Sequence, residues 1–528
     1  MLPTSVKKNE LAALVKSLQR TEKAFYKKMA KRHASANQAL HLQLFELIDK
    51  YPDSDEKFFQ QQLKIKSASH LSSLKNYLWE DLLNTLVFLK RKNPLVQLHN
   101  LEAQVDILLS KNLTDSAEKL LSDAWVLATH LNLYTEQQKI LKHRFILLFY
   151  AGIKHFESES SILLSLQQEV LRKIHQEQSM RMCLRELVAI RQFTYLHLSE
   201  KQLTQVNKMV QSVEKMQLEP NAVFLLLSKE LTLSMAYHLS YQFPESNHHA
   251  LETLGIWKAE PQLIQPNQSL FLISIDYALY NAFAMGDLDT AAYFLDAYGN
   301  IAMQHMDTKE RYKWELISFN TRLKIHHKKA DYEAVKKIMD LEANYVLEIV
   351  RNRTAQSQAI TIMCSCLISY FVLGEFKKSE DLLMDVKDLN LIAGRDDVMY
   401  FITIFHMILL YEMKNDLQLH LAINASYAKL YHQNKLHPFE KDLMLFFKHL
   451  TNHPERKNRI HAIQDFIIKL EGYKNDAVKQ LYFLYFNFYD WLQSKALKIP
   501  YVEYKKQLVN PSTLSDSEQG RKSNKTSL

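Results

Sequence analysis

Between Phe271 and Asp388 the chain repeats itself. Three times an apolar helical stretch ends, a short turn follows and an amphipathic helical stretch begins. The turns are Gly286-Asp287-Leu288, Ala330-Asp331-Tyr332 and Gly374-Glu375-Phe376. Gly286 and Ala330 are 44 residues apart, and so are Ala330 and Gly374. A fixed period of this length means stacked helix pairs, since one pair cannot bury its own apolar face. The turn residues explain each stop and start. Glycine at 286 and 374 suits the left-handed position that closes many helices. Asp287, Asp331 and Glu375 open the next helix, where a carboxylate meets free N–H groups and the positive end of the helix dipole. Leu288, Tyr332 and Phe376 pin the second helix on the first. Ala291 and Ser379 follow three residues later and are small enough for close approach.

The period extends in both directions. Asn112, Gly152–Phe156, Ser199–Lys201 and Phe243–Glu245 read as breaks before the strong turns, and Asn415–Leu417 and Asn452–Glu455 after them. The turns are thus expected at 112, about 155, about 199, about 243, 286, 330, 374, 415 and about 453. Pro220, Pro261, Pro266 and Pro438 all fall between helices or at helix starts, where proline is tolerated. The repeat region spans 94–507. Within it the most aromatic stretch, Asn475–Leu497, is expected as one helix that either closes the last repeat or offers an aromatic surface.

Only 8 of 528 residues are glycine. No G-x-x-x-x-G-K-[ST], G-x-G-x-x-G or G-x-S-x-G occurs, so phosphate loops and nucleophile elbows are absent. No strand rhythm is present, and the expected fold is all-α. Residues 1–93 differ from the rest. They predict short helices near 8–18, 21–33, 36–50, 54–66 and 69–92, a separate module or cap. In the last of these Leu74, Tyr77, Leu78, Leu82 and Leu86 form the buried stripe. This module carries 17 Lys and Arg against 9 Asp and Glu, a balance of +8 that equals the net charge of the whole chain. Residues 508–528 are polar, lack apolar periodicity and are expected to be disordered.

The turn pattern resembles the tetratricopeptide repeat, in Gly286, Asp287, Leu288, Ala291 and Leu295 and again in Gly374, Glu375, Phe376 and Leu383. The period is longer than that family's ~34 residues, and Leu279, Leu323 and Leu367 stand where it has a glycine in the first helix. HEAT and armadillo repeats, at ~40–47 residues, are the structural alternative. The resemblance implies a right-handed α-solenoid superhelix of antiparallel helix pairs, with first helices lining a concave face. It places partner-binding slots at Asp276 and Tyr280 in one repeat and at Asn320, Lys324 and His327 in the next. In the third copy the slots are Cys364, Ile368 and Phe371, which breaks the likeness to a carboxylate-clamping groove.

Nothing points to catalysis. His248-His249 and His326-His327 are adjacent pairs, and helix neighbours diverge by about 100°. Cys364-x-Cys366 diverges likewise. No catalytic residue, metal site or cofactor is expected. Three cysteines suit a reducing compartment. The N-terminus has no apolar signal core. The longest charge-free run, Thr354–Gly374, reads as a buried first helix and not as a membrane span. The expectation is a cytoplasmic, non-catalytic interaction scaffold that holds a protein or peptide on its concave face. The alternative is a nucleic-acid-associated regulator that uses Lys16, Arg20, Lys23, Lys27, Lys28, Lys31 and Arg32, with the solenoid as sensor. A solvated helix face explains the same charges without a partner.

Overall fold

A computed structural model of the chain describes residues 8–32, 38–149, 153–193, 198–353, 356–388, 396–432, 438–452, 456–472 and 485–509. Every regular element among them is helical, with twenty-four α-helices and two 3-10 turns. Helices adjacent in sequence pack on one another, as they do in a helical repeat array. The chain divides into two compact units, Met1–Leu171 and Arg172–Leu528.

The first unit holds α1 (Lys8–Ser17), α2 (Arg20–Arg32), α3 (Gln38–Lys50), α4 (Glu56–Gln62), α5 (Ala68–Leu89), α6 (Pro94–Ser110), α7 (Thr114–His130), α8 (Tyr134–Leu148) and the start of α9 (Ile153–Phe193). The five helices expected before residue 93 are present, with their ends shifted by at most four residues. Their core gathers Leu11, Val15, Tyr26, Phe45, Leu71, Leu78 and Leu82. Tyr77, expected in the buried stripe of α5, is instead 46% exposed. A second core, built on Leu98, Val105, Ala117, Leu121, Ala124 and Ile140, belongs to α6–α8.

The second unit continues from α9 with α10 (Glu200–Glu214), α11 (Val223–Leu239), α12 (Phe243–Ala259), α13 (Gln268–Ala284), α14 (Leu288–His305), α15 (Thr308–Lys328) and α16 (Tyr332–Arg353). It goes on with α17 (Gln356–Val372), α18 (Phe376–Asp388), α19 (Asp396–Glu412), α20 (Asp416–His432), α21 (Pro438–Asn452), α22 (Arg456–Glu471), α23 (Phe488–Ala496) and α24 (Tyr501–Val509). The apolar α17 is buried among its neighbours through Ile360, Met363, Cys364, Cys366 and Leu367. No helix among the described residues is long and apolar enough to cross a membrane.

One turn recurs through this unit. At Gly286 the backbone takes φ +74°. Asp287 N donates to Ala282 O at 2.8 Å and Gly286 N to Phe283 O at 3.2 Å. These two bonds define the Schellman closure, which satisfies carbonyls the helix end leaves free. The same pair of bonds and the same left-handed residue occur at Tyr241, Ala330, Gly374 and Lys414. Asp287 Oδ1 then accepts from Thr290 N at 3.0 Å, Asp331 Oδ1 from Ala334 N at 3.1 Å and Asn415 Oδ1 from Gln418 N at 3.2 Å. Glu375 departs from the pattern and pairs with Lys378 at 2.6 Å. Five residues past each left-handed position lie Ser246, Ala291, Val335, Ser379 and Leu419, all fully buried where the two helices of a pair meet.

The even spacing fails in two places. The breaks expected at about 155 and 199 imply a helix pair between them. One uninterrupted helix, the 41-residue α9, runs there instead and already includes Ile153–Phe156. Its residues offer no glycine, proline or Asx turn to stop it. The single helix expected over 475–497 is also interrupted. Asn487 caps a new helix by accepting from Asp490 N, so α23 begins only at Phe488. Residues 473–484 lie outside the described residues. Of the tail expected over 508–528, Leu508 and Val509 belong to α24 and the rest lies outside the described residues.

Candidate functional site

α11, α13, α15 and α17 also pack directly on one another, each with the next. Their shared face carries the five residues expected to meet a partner. The repeat places Lys324 on α15 opposite Tyr280 on α13, with its ammonium 5.6 Å from the Tyr280 ring centre and 6.0 Å from that of Phe283. Asp276 lies one turn before Tyr280 on α13. The structure thus brings Asp276, Tyr280 and Lys324 together.

A fourth residue completes the group. Arg191, near the end of α9, lays its guanidinium over Tyr277 at 4.7 Å and Tyr280 at 4.6 Å from the ring centres. Its Nη2 is 3.8 Å from Asp276 Oδ2, a loose ion pair. Both side chains keep about a third of their surface open, at 33% and 34%. Burial nevertheless raises the Asp276 carboxyl above its usual range, against the pull of Arg191 and Lys324. Burial also lowers the Lys324 ammonium, with Asp276 opposing. The Asp276 charge, followed by burial, pushes the Tyr280 phenol up to about 12. These groups, reached by water yet surrounded by protein, form a half-open floor on this face.

Behind this floor a polar layer is buried. His238 Nδ1 is 2.7 Å from Asn281 Oδ1, which also accepts from Ser246 Oγ at 3.0 Å. His238 is lowered by burial and by Arg191. The Tyr277 hydroxyl and Asn281 Nδ2 are buried without a hydrogen-bond partner among the described residues.

Asn320 and His327 do not join the cluster. Asn320 Oδ1 accepts from Ser365 Oγ at 2.6 Å, and His327 Nε2 lies 2.8 Å from Ser369 Oγ. Both tie α15 to α17. The apolar slots of the third copy also have an explanation. Phe371 packs against Phe405, Phe486 and Tyr501, with ring centres 5.4, 5.3 and 5.9 Å away. The segment 485–509 therefore packs on the face of α17. The aromatic stretch closes the last repeats, with Phe488 and Trp491 buried in the same core.

Sequence reasoning missed Arg191 because it sits on α9, where the expected spacing fails, 85 residues before Asp276. The signal was the acid–aromatic run Asp276-Tyr277-x-x-Tyr280, whose carboxylate and two ring faces suit a cation.

The N-terminal basic residues divide. Lys23 pairs with Asp49 at 2.6 Å. Lys27 is 3.6 Å from Glu46 and lies over Phe45. Lys16, Arg20, Lys28 and Lys31 are exposed, the last three along one side of α2. The Arg32 side chain lies outside the described residues.

Elsewhere, a cavity of about 710 Å³ opens beside α14 and α15, lined by Gly299, Trp314, Arg322, His326 and Lys329 among others. Three of its basic side chains are engaged: Arg322 with Glu342, His326 with Asp331 and Lys329 with Asp289. Burial pushes the Cys366 thiol up to about 12, so it stays protonated. No group of three His, Cys, Asp or Glu among the described residues is placed to hold a metal ion. No family model, curated protein or solved structure matches the chain.

Proposed function

We propose that this chain is a non-catalytic scaffold that holds a peptide segment of another protein along the face of α11, α13 and α15. On this reading it is a divergent tetratricopeptide-like, right-handed solenoid of antiparallel helix pairs that works in the cytoplasm. The observation that carries it is the half-open floor of Arg191, Asp276, Tyr280 and Lys324. Charged side chains fixed against aromatic rings and still reached by water are pre-oriented for a polar partner, whereas a face used only for packing would be dry. The Schellman turns support the repeat, and three free cysteines suit a reducing compartment.

The test is affinity capture with the full chain and with the Tyr280→Ala/Lys324→Ala double variant, each with and without nuclease. A protein held by the parent, lost by the folded variant and resistant to nuclease supports the reading. A partner held equally by both removes the groove from it.

A second reading, nucleic-acid binding through the first unit, draws on the exposed stripe of Arg20, Lys28 and Lys31 on α2. It expects duplex binding that weakens steeply with salt. Substituting Lys28→Glu and Lys31→Glu should abolish that binding. No binding at low salt sinks it.

A further inference from the structure

The side of α15 turned away from Lys324 carries a second set of polar groups. There α14 and α15 meet at Asp289 and Lys329, 2.8 Å apart, and again where Gly299 faces the Trp314 indole. Along this seam opens the cavity of about 710 Å³, within the ~300–1,000 Å³ usual for small-molecule sites. Trp314, Ser318 and Arg322 line it from α15 at steps of four residues, and Asp296 and Asn300 line it from α14 at the same step. Ser318 and Arg322 lie about 200° around α15 from Asn320 and Lys324, so the two faces are distinct.

Four polar groups of this cavity are unspent. Asp296, Asn300, Ser318 and Trp314 Nε1 have no hydrogen-bond or ion-pair partner among the described residues. The bases that line the cavity do not answer Asp296, because each already has a carboxylate. Glu342 holds Arg322 through both terminal nitrogens at 2.7 and 2.6 Å, Asp331 holds His326 and Asp289 holds Lys329. Trp314 is only 5% exposed, and an indole N–H so enclosed ordinarily meets an acceptor. Gly299 leaves that edge clear: a Cβ added there would stand 3.2 Å from Cζ2 and 3.9 Å from Nε1 of the ring. Leu295, Met303 and Ile325 supply an apolar wall. An unpaired carboxylate, an unpaired indole donor and an apolar wall suit a ligand with one cation, one neutral acceptor and an apolar body. We propose that the cavity between α14 and α15 binds a small organic cation, an ammonium or guanidinium on an apolar body, with Asp296 holding the charge and Trp314 Nε1 donating to the acceptor beside it.

The chemistry of the lining selects this class. A cation on Asp296 makes a charge-assisted bond, and Asn300 Oδ1 and Ser318 Oγ are further acceptors for its remaining N–H groups. An anion meets the opposite situation. Asp296 repels it, and Arg322 and Lys329 are already neutralised by Glu342 and Asp289. The site owes nothing to the face of α11, α13 and α15, so either can fail without the other.

The probes are phenylalaninamide, its N-acetyl derivative, which lacks the cation, and phenethylamine, which lacks the acceptor. Each is titrated against the full chain by ligand-observed NMR at about pH 6.5, where an α-amino group is charged. Phenylalaninamide should bind tightest. Acetylation should weaken it roughly tenfold or more, and loss of the carboxamide severalfold. Asp296→Asn should erase the preference over the acetylated form and keep the preference over phenethylamine. Trp314→Phe, which removes only the N–H, should do the reverse. Unfolding cannot produce that crossed pattern. Asp296 is exposed, so its variant keeps the fold and carries the test even where Trp314→Phe does not. An acetylated amide that binds as well as phenylalaninamide, or a preference that survives Asp296→Asn, overturns the proposal. Absence of binding by all three probes at about 10 mM overturns it too.

Discussion

His327 Nε2 stands 2.8 Å from Ser369 Oγ, and that hydroxyl spends its one hydrogen on Ser365 O, also at 2.8 Å. His327 is therefore the donor, and its Nε2 carries the proton in the neutral ring. This bond joins α15 to α17 across successive repeats. Burial, then the neighbouring His326, pushes His327 down to about 4.

The pH dependence follows from that shift. The folded chain holds fewer protons on His327 than the unfolded chain, whose histidine titrates near its usual value of 6.5. The stabilising contribution is fully present above about 6.5 and is lost as pH falls from there towards about 4. Burial also brings His406 to about 4, so it adds to the same slope. His327→Gln keeps a donor for Ser369 and removes the titration. Thermal midpoints measured at pH 7.5, 6 and 5 should fall less steeply for His327→Gln than for the parent. Equal slopes would show that His327 titrates normally.

The left-handed turn residues give a paired prediction. A Cβ added to Gly374 meets nothing within 4 Å, so only the backbone at φ +75° opposes Gly374→Ala. That strain costs about 1 kcal/mol. Lys414 is exposed at the equivalent position with φ +56°. Lys414→Gly relieves the same strain, and the greater freedom of the unfolded glycine offsets part of the gain, leaving a few tenths to about 1 kcal/mol. Urea unfolding should rank Lys414→Gly above the parent and Gly374→Ala below it. The reverse order would mean these turns are not held in the left-handed region.

Those two residues also show what the sequence could reveal. Gly286 and Gly374 are legible because glycine is the usual occupant of a left-handed closure. Tyr241 and Lys414 occupy the same position with ordinary side chains, so their turns had to be inferred from spacing. Spacing then misled over 153–193, where the single helix α9 stands in place of the expected helix pair, because no residue there stops it. The candidate site was partly readable for a related reason. Asp276, Tyr280 and Lys324 occupy matching places in adjacent repeats. Arg191 arrives from a helix outside the period, and no local pattern says which face α9 presents. Asn320 and His327 were misread because a polar residue on an inner face looks alike from sequence whether it awaits a partner or bonds the next helix.

The segment 485–509 is structural. Phe486 is buried against Phe371, Phe405 and Tyr501, and Trp491 Nε1 donates to Glu412 Oε1 at 2.6 Å. Phe486→Ala leaves a cavity between α17, α19 and α24 and should cost about 3–5 kcal/mol. The loss should show in the unfolding midpoint and as binding of an apolar dye near neutral pH. A change below 1 kcal/mol would mean that residues 485–509 do not seal this core.

The first unit should respond to pH in the opposite sense to His327. Glu102 on α6 and Glu136 on α8 share a partly buried site with Lys139, which is 2.8 Å from Glu136 and 3.8 Å from Glu102. Burial, then the hydrogen bond and charge of Glu136, pushes Glu102 up to about 7. Burial works against Glu136 too, but bonds from Lys139 and Glu102 outweigh it and bring it below its usual value. Glu102 is thus the partner that keeps a proton up to about neutral pH, and Glu136 the ionised one. His99 and His143 face the pair, and His143 Nε2 is itself 3.0 Å from Asp106. The folded chain holds a proton on Glu102 that the unfolded chain releases near 4.5. That contribution is fully present below about 4.5 and is lost as pH rises through about 7, at up to ~1.4 kcal/mol per pH unit for one proton. Glu102→Gln is a permanent stand-in for the protonated acid and can still donate to Glu136. It should leave stability near pH 4.5 almost unchanged and raise it at pH 8, read as the melting midpoint of the full chain by tryptophan fluorescence. A variant less stable than the parent at pH 8 would mean that Glu102 is ionised there and held by Lys139.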